Sequence, residues 1–297
     1  MELSKYEVFL KTVELGNITR AADVLGYTQP AVSRVITDLE REWGIPLLIR
    51  SRGGVKLTTE GQQLLPSIRA VCCAQRDLEA SVSGLLGLTR GSVRIATFHS
   101  VAAHWLPQIV QSFLSLHPNI EFDISCELEY SSSELKLIQG DVDCAFVTLP
   151  LNVHANPPLR TIFLKRDPIY VALPLNHPLA TAPAYPVSRF AEDALIYIRE
   201  THDRDITTIF DCCNVHPNTR YFMEDSYAIA SMVESGMGVG IINGLIASRM
   251  PYHIALIPMD PPQYRDIALA VRSQGTLSPV LSRFLEYVQS WVAEHVK

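Results

Sequence analysis

The stretch from residue 17 to residue 61 constrains the fold more than any other part of the chain. It reads NITRAADVLGYTQPAVSRVITDLEREWGIPLLIRSRGGVKLTTEG. Apolar residues recur at helical spacing on both sides of Gly26, and Asn17 or Thr19 and then Thr28 are candidate N-caps. A basic segment with two glycines follows the second of these helices. This order predicts two helices joined by a tight turn and followed by a wing.

The helix after Thr28 has two chemically different faces. Its buried stripe is predicted at Val32, Val35, Ile36 and Leu39, and its polar face at Gln29, Pro30, Ser33, Arg34 and Thr37. Arginine can contact guanine through two hydrogen bonds, glutamine can contact adenine in the same way, and serine adapts to several bases. The polar face therefore predicts contact with the DNA major groove, although a small helical domain with a solvated face would show the same polarity.

Several residues in and around this region together resemble the N-terminal signature of LysR-type transcriptional regulators. They are Ala21-Ala22, Gln29-Pro30-Ala31-Val32-Ser33-Arg34, Leu39-Glu40, Gly44, Arg50, Leu57-Thr58 and Gly61. The resemblance implies that Gln29, Pro30, Ser33 and Arg34 face base edges, with Thr28 near the DNA backbone. It also implies that Arg50 and Arg52 lie on the wing, at phosphates or in the minor groove. Gly53 stands where family members often carry arginine, so here Arg52 is the second arginine of the wing.

The charge distribution suits a sequence-specific DNA-binding domain attached to an acidic body. The chain has a formal net charge of -6. Residues 1–58 are predicted to form the winged helix-turn-helix domain. Residues 1–60 hold eight basic and eight acidic residues, so the rest of the chain carries the whole net charge of -6. A nearly neutral domain with a basic tip favours sequence reading over non-specific coating of DNA.

A long helix is predicted from Thr59, which has capping-box spacing to Gln62, through a linker that ends near residue 90. A heptad seam runs along it through Leu64, Ile68, Val71, Gln75, Leu78, Val82 and Leu85. Such a seam favours pairing with a second copy of the chain, and packing on the chain's own body is the alternative. The resemblance implies a homodimer and, as the usual assembly, a homotetramer.

Strand and helix patterns alternate from residue 91 to residue 297, which favours an α/β domain. Two subdomains are predicted, the first at about 91–166 and 266–297 and the second at about 167–265, joined by two crossing strands with a cleft between them. The stretch Tyr197-Ile198-Arg199 is expected near a crossover. The domain resembles the effector-binding domain of LysR-type regulators, which is built like a periplasmic solute-binding protein.

Ligands in α/β domains gather where strands end and helices begin. On this basis and by the resemblance, a small polar or anionic metabolite is expected to contact Thr97, Phe98, His99, Ser100, Thr148, Ile198, Arg199 and Ser226. Hydroxyl side chains at such positions also act as ordinary helix caps, and Arg199 has acidic neighbours that compete for it.

Motifs for enzymatic chemistry are missing from the sequence. Ser100 lacks the flanking glycines of a nucleophile elbow, and no HExxH motif or glycine-rich phosphate loop occurs. Cys212-Cys213 with His216 lacks an evident fourth ligand for a metal ion, so neither a metal nor a cofactor is expected. The charged N-terminus and the lack of long apolar runs predict a cytoplasmic protein without a membrane partner.

These observations predict an α + α/β protein that reads a partly palindromic promoter site as a dimer or tetramer and is switched by a small molecule. The resemblance adds RNA polymerase as an expected partner. Two alternatives remain open at the level of sequence. One is an architectural DNA-binding dimer that senses no ligand, and the other is a cytoplasmic enzyme or solute binder with an incidental helix-turn-helix.

Overall fold

The computed structural model describes residues 4–51, 53–85, 91–155, 158–198, 204–273 and 277–296. The chain divides into an N-terminal unit, residues 1–86 with 139–141, and a C-terminal unit that contains the remaining residues. None of the helices in the described ranges is both long and apolar enough to cross a membrane.

Three short helices open the N-terminal unit: α1 (Lys5–Leu15), α2 (Ile18–Leu25) and α3 (Gln29–Trp43). Asn17 caps α2, because its side chain accepts a hydrogen bond from the amide of Arg20. Gly16 ends α1 and Gly26 ends α2, both in the left-handed conformation that glycine adopts without a steric penalty. Thr28 occupies the N-cap of α3, but its side chain makes no capping hydrogen bond, which corrects the prediction that its hydroxyl caps the helix.

The wing is a two-stranded antiparallel hairpin of β1 (Leu48–Ser51) and β2 (Gly54–Leu57). Its position against the helices depends on Gly54, which has a positive φ of 119°. A Cβ atom at this position would lie 2.3 Å from the carbonyl oxygen of Gly16. The helices and the hairpin share one core, formed by Val8, Phe9, Ala22, Val32, Ile36, Leu39, Leu47, Leu48, Val55 and Ile68. Val35, predicted in the buried stripe, is only partly buried.

A linker helix, α4 (Thr59–Leu85), follows the wing after a single residue, Thr58. Its cap is Thr58, whose side-chain oxygen accepts a hydrogen bond from the amide of Gly61 at 2.9 Å. The prediction of a capping box at Thr59 and Gln62 was therefore wrong by one residue, because the capping residue is Thr58.

The C-terminal unit alternates strands and helices as predicted. Its strands are β3 (Gly91–Phe98), β4 (Ile120–Glu127), β5 (Cys144–Leu149), β6 (Arg160–Pro174), β7 (Tyr185–Pro186), β8 (Leu195–Ile198), β9 (Thr219–Met223), β10 (Val239–Asn243) and β11 (Ile254–Val271). Its helices are α5 (His99–His104), α6 (Leu106–Leu116), α7 (Tyr130–Ile138), α8 (Arg204–Cys212), α9 (Ser226–Glu234), α10 (Gly244–Ala247) and α11 (Pro279–His295), with a 3-10 helix at Val187–Ala191.

One sheet runs through the whole C-terminal unit, in the order β4-β3-β5-β11-β6-β10-β8-β9. Strands β4, β3 and β5 are parallel to one another, as are β10, β8 and β9. The two long strands β6 and β11 pair antiparallel in the middle and connect the two halves. Residues 197 and 198 lie at the end of β8, within one half of the sheet, and not on the long strands β6 and β11 that connect the halves.

Each half of the sheet has its own hydrophobic core. Around β3 and β5 the largest cluster includes Phe113, Phe146 and Phe284. Around β8 and β10 it includes Tyr185, Phe190 and Phe210. Because these separate cores meet at β6 and β11, the C-terminal unit consists of two subdomains, and the ends of strands from both halves face the space between them.

Candidate functional site

The polar face of α3 is exposed and continuous. Gln29, Pro30, Ser33, Arg34 and Thr37 line one shallow depression on the surface, together with Asp38 and Arg41. The structure thus brings together five of the eight predicted DNA-contacting residues, and Thr28 immediately precedes them at the N-cap. The side chain of Arg34 is 84% exposed, so little prevents it from reaching a base edge.

Arg50 reaches this face from the first strand of the wing. Its guanidinium donates hydrogen bonds to the Ser33 hydroxyl at 2.9 Å and to the Thr37 hydroxyl at 3.1 Å. The sequence predicted Arg50 at a phosphate or in the minor groove, and did not predict that it would contact α3. Arg52 lies outside the described residues.

Asp38 is the acidic neighbour of the polar face. It forms ion pairs with Arg41 and with Arg34, the latter at an N···O distance of 3.7 Å. A long ion pair between exposed side chains contributes little free energy. Arg34 can therefore exchange Asp38 for another partner at small cost.

The predicted heptad seam on α4 divides into two parts. Ile68 is buried in the core of the N-terminal unit and Leu64 packs partly against it, so this part of the seam is occupied by the chain itself. The side chains of Val71, Leu78 and Val82 are exposed by 48%, 64% and 46%. Gln75 is half-buried and donates to Glu79, and the side chain of Leu85 lies outside the described residues. An apolar stripe in the second half of α4 is thus left open to solvent.

A cavity lies between the two halves of the C-terminal unit. Phe98, His99, Ser100, Ile198 and Ser226 line it, and all five were predicted as effector contacts. Thr97 and Thr148 are buried at 0% and 4% exposure and are not among the residues that line the cavity, so their contact with an effector stays a prediction. They lie inside β3 and β5, the inner strands of their half. Arg199 lies outside the described residues.

Sequence reasoning missed the main polar group of this cavity, Arg265. Its side chain is 2% exposed and forms an ion pair with Asp167 at 2.7 Å. It also donates to the hydroxyls of Tyr130 at 2.8 Å and Ser100 at 2.9 Å. Burial lowers the pKa of the Arg265 guanidinium, but Tyr130 and Asp167 outweigh this effect, and the net shift is upward. Arg265 therefore stays charged and connects both crossing strands to the first turns of α5 and α7.

Acidic groups form part of the lining of the cavity. Glu127, Glu224 and Asp225 line it, and Glu127 forms an ion pair with Lys136. Asp225 caps α9 by accepting a hydrogen bond from the amide of Ala228 at 2.8 Å. Since the charge of Arg265 is already balanced by Asp167, the described part of the lining offers a ligand both carboxylates and hydroxyl groups.

Near the cavity, a histidine of the first subdomain contacts a tyrosine of the second. The Nε2 atom of His104 lies 3.2 Å from the hydroxyl of Tyr227. The Nδ1 atom of His104 is buried, with no hydrogen-bond partner among the described residues. Burial lowers the pKa of His104, and the charges of Arg249 and His99 lower it further.

All six cysteines are free thiols, and Cys212 and Cys213 are exposed. Among the described residues, no group of three or more histidine, cysteine or acidic side chains is placed to hold a metal ion.

Comparison with known proteins covers both units. Residues 3–62 match the family described as "Bacterial regulatory helix-turn-helix protein, lysR family", and residues 86–293 match "LysR substrate binding domain". The "Uncharacterized HTH-type transcriptional regulator YvbU" of Bacillus subtilis (strain 168) is 27% identical over 289 residues, which cover 96% of this chain and 97% of the relative.

Two solved structures have the same fold over nearly the whole chain. Full-length OxyR from Pseudomonas aeruginosa has a TM-score of 0.74 at 20% identity and covers 98% of this chain and 95% of its own. Full-length CbnR complexed with its target DNA has a TM-score of 0.56 at 22% identity and covers 98% of this chain and 100% of its own. Taken with the family matches over both units, these likenesses show that the chain belongs to the LysR family of transcriptional regulators, which bind DNA through the helix-turn-helix domain, carry an effector-binding domain and are not enzymes.

Proposed function

We propose that two copies of this chain read a partly palindromic promoter site, each placing α3 in the major groove. The observation that carries the proposal is the continuous polar face of exposed Gln29 and Arg34 and half-buried Ser33, with the Arg50 guanidinium beside it. Arginine and glutamine supply the paired donors and acceptors that distinguish bases in the major groove. The first-turn amides of α3 support the same placement, because a helix N-terminus holds phosphate.

Dimerisation is proposed through the exposed apolar stripe of Val71, Leu78 and Val82 on α4. Two DNA-binding domains must lie about one turn of DNA apart to read a symmetric site, and a pair of linker helices can hold them there. A homotetramer, contact with RNA polymerase and a cytoplasmic location complete the proposal and rest on the family alone.

The effector is proposed to bind in the cavity of the C-terminal unit, against Phe98, Ser100 and Ser226. In this conformation the cavity has a volume of ≈ 60 Å³, whereas metabolite sites usually measure about 300–1,000 Å³. The proposal therefore includes a separation of the two subdomains when the effector enters. A ligand that binds the open arrangement more tightly shifts the population toward it, which gives the change needed for regulation.

The experiment that tests DNA reading is selection of genomic fragments by the purified full-length chain at near-physiological salt, followed by sequencing. A recurrent inverted repeat is the expected result. Salt-sensitive binding without a motif would favour an architectural DNA-binding dimer, and no binding at all would reject the proposed interface.

The regulated genes then provide candidate effectors, which are tested by the thermal stability of the chain with each metabolite. Ser100→Ala is expected to reduce the stabilisation by the true effector, while Ser235→Ala, on the exposed C-terminal end of α9, leaves it unchanged. Equal stabilisation of both variants would place the effector elsewhere.

A further inference from the structure

Arg50 is held on the side of the wing strand that faces α3. Side chains alternate along a strand, so Arg50 shares a side with Leu48, which is buried in the N-terminal core. From this position its two terminal nitrogens contact consecutive turns of α3, one at Ser33 and the other at Thr37. The planar guanidinium is suited to such a double contact, which the single ammonium group of lysine could not make in the same geometry.

These contacts determine which further hydrogen bonds the hydroxyls of Ser33 and Thr37 can make. The Thr37 hydroxyl donates to the carbonyl oxygen of Ser33 at 2.9 Å and accepts from Arg50, so its only hydrogen is already used. The Ser33 hydroxyl accepts from Arg50, and in the described part of the chain no acceptor is bonded to its hydrogen. Of the two, Ser33 alone retains a donor for a partner outside the chain.

The charge of Arg50 strengthens the Ser33 hydroxyl as a hydrogen-bond donor. Among the described residues no carboxylate forms an ion pair or hydrogen bond with its guanidinium, so its positive charge is unbalanced beside Ser33. A hydroxyl that accepts from a charged donor becomes a better donor itself. A donor group brought to the same oxygen would be repelled by the guanidinium.

We propose that Arg50 sets sequence preference by making Ser33 a hydrogen-bond donor towards DNA. In the major groove guanine, adenine and thymine each present an acceptor, whereas cytosine presents only an amino donor. The base that faces Ser33 is therefore guanine, adenine or thymine, and cytosine is disfavoured. Arg50 acts here as a positioning residue through Ser33, and the inference rests on the proposed placement of α3 in the major groove.

The test is selection of binding sites from a randomised DNA library by the full-length chain and its variants. Ser33→Ala first locates the base position that responds to Ser33. In the wild-type selection cytosine should be depleted at that position roughly 2–10-fold, the worth of one hydrogen bond. Arg50→Met, which keeps an unbranched apolar chain but lacks the guanidinium, should remove this depletion while preferences at other positions remain.

Lys56→Met is the matched control, because Lys56 lies exposed on β2 and its removal costs the wing one positive charge without touching Ser33 or Thr37. It should lower affinity evenly for all sites. The double variant with Ser33→Ala and Arg50→Met should show no change at the Ser33 position beyond that of Ser33→Ala.

The result that overturns the inference is an Arg50→Met variant with wild-type folding by circular dichroism, weaker binding and an unchanged base preference. Enrichment of cytosine at the Ser33 position in the wild-type selection would overturn it as well. Failure of the wild-type chain to select any motif would instead reject the proposed function from which the inference starts.

Discussion

Arg265 and Asp167 face each other across the β6–β11 pair, and their buried side chains form an ion pair at 2.7 Å. On the next rung Asp266 faces Arg166, and this second ion pair is exposed, with side-chain exposures of 27% and 63%. Because successive side chains on a strand point to opposite sides of the sheet, the two pairs lie on opposite faces. An ion pair thus joins β6 and β11 on each face of the sheet. The arginine belongs to β11 in the buried pair and to β6 in the exposed pair.

Asp167→Asn is expected to destabilise the chain strongly. It leaves the Arg265 guanidinium buried without its counter-charge, and breaking one side of a buried pair costs about 3–5 kcal/mol. Asp266→Asn is the matched control on the adjacent rung and should change stability far less, because water solvates the Arg166 side chain that remains. Urea unfolding followed by circular dichroism measures the free energy of unfolding of both variants. Equal losses would show that the buried pair contributes no more to stability than the exposed pair.

The two ion pairs were present in the sequence as two Arg-Asp dipeptides, Arg166-Asp167 and Arg265-Asp266. When two such dipeptides pair antiparallel, each arginine faces an aspartate. The subdomain boundaries had been predicted at these positions, but the antiparallel register that joins the dipeptides depends on tertiary contacts nearly a hundred residues apart. Local patterns predicted the strands and the cavity residues next to them, whereas Arg265 could be found only once β6 and β11 were paired.

Stability is expected to fall as the solution becomes mildly acidic, through His104. Its pKa is lowered in the folded chain by burial and by Arg249 and His99, so the unfolded chain takes up the proton first as the pH falls below 6.5. The free energy of unfolding should therefore decrease below this pH and level off once the folded chain is protonated too. When the free energy of unfolding is measured at several pH values, His104→Gln should remove this decrease. His253→Gln, at an exposed position, should leave it unchanged. Identical profiles for wild type and His104→Gln would refute the assignment.

Gly61→Ala is expected to weaken the junction between the wing and the linker helix. A Cβ atom at this position would lie 2.4 Å from the carbonyl oxygen of Leu47, which is backbone and cannot move away alone. Overpacking of this kind typically costs about 1–3 kcal/mol. Thermal unfolding measures the loss, with Gly53→Ala as control because its added methyl group meets nothing closer than 3.9 Å. A wild-type melting temperature for Gly61→Ala would mean that the helix start adjusts freely.

The division of the heptad seam shows why sequence periodicity predicted the linker helix but not its partners. Leu64 and Leu78 occupy equivalent positions in the repeat, yet Leu64 packs on the N-terminal core and Leu78 is 64% exposed. Spacing along one helix reports which residues share a face and carries no information on what covers that face. The core around Phe9 and Ile36 covers the first part of the seam. To predict this, the positions of α1 and α3 must be known.

Arg34→Ala is expected to reduce specific DNA binding by about 1–3 kcal/mol and to relax one base position, because a bidentate contact to guanine is worth that much. Arg41→Ala removes the same charge from a later turn of α3, and should weaken binding to specific and random DNA alike. Fluorescence anisotropy with the selected site and with a scrambled duplex separates the two effects. If Arg34→Ala lowered the affinity for both duplexes equally, Arg34 would contact phosphate and not a base.

Leu78→Lys is expected to dissociate the proposed dimer into monomers without unfolding the N-terminal unit. The side chain of Leu78 is 64% exposed in the single chain, so a lysine there meets only solvent until a second linker helix approaches. Ala70→Lys, also at an exposed position of α4 but off the seam, is the control and should keep the wild-type mass. Sedimentation equilibrium measures the mass, and circular dichroism verifies the fold. Under the proposal that two DNA-binding domains read each promoter site, the monomeric variant should also lose its preference for an inverted repeat over a half-site. A dimeric Leu78→Lys protein would show that the copies associate through a different surface.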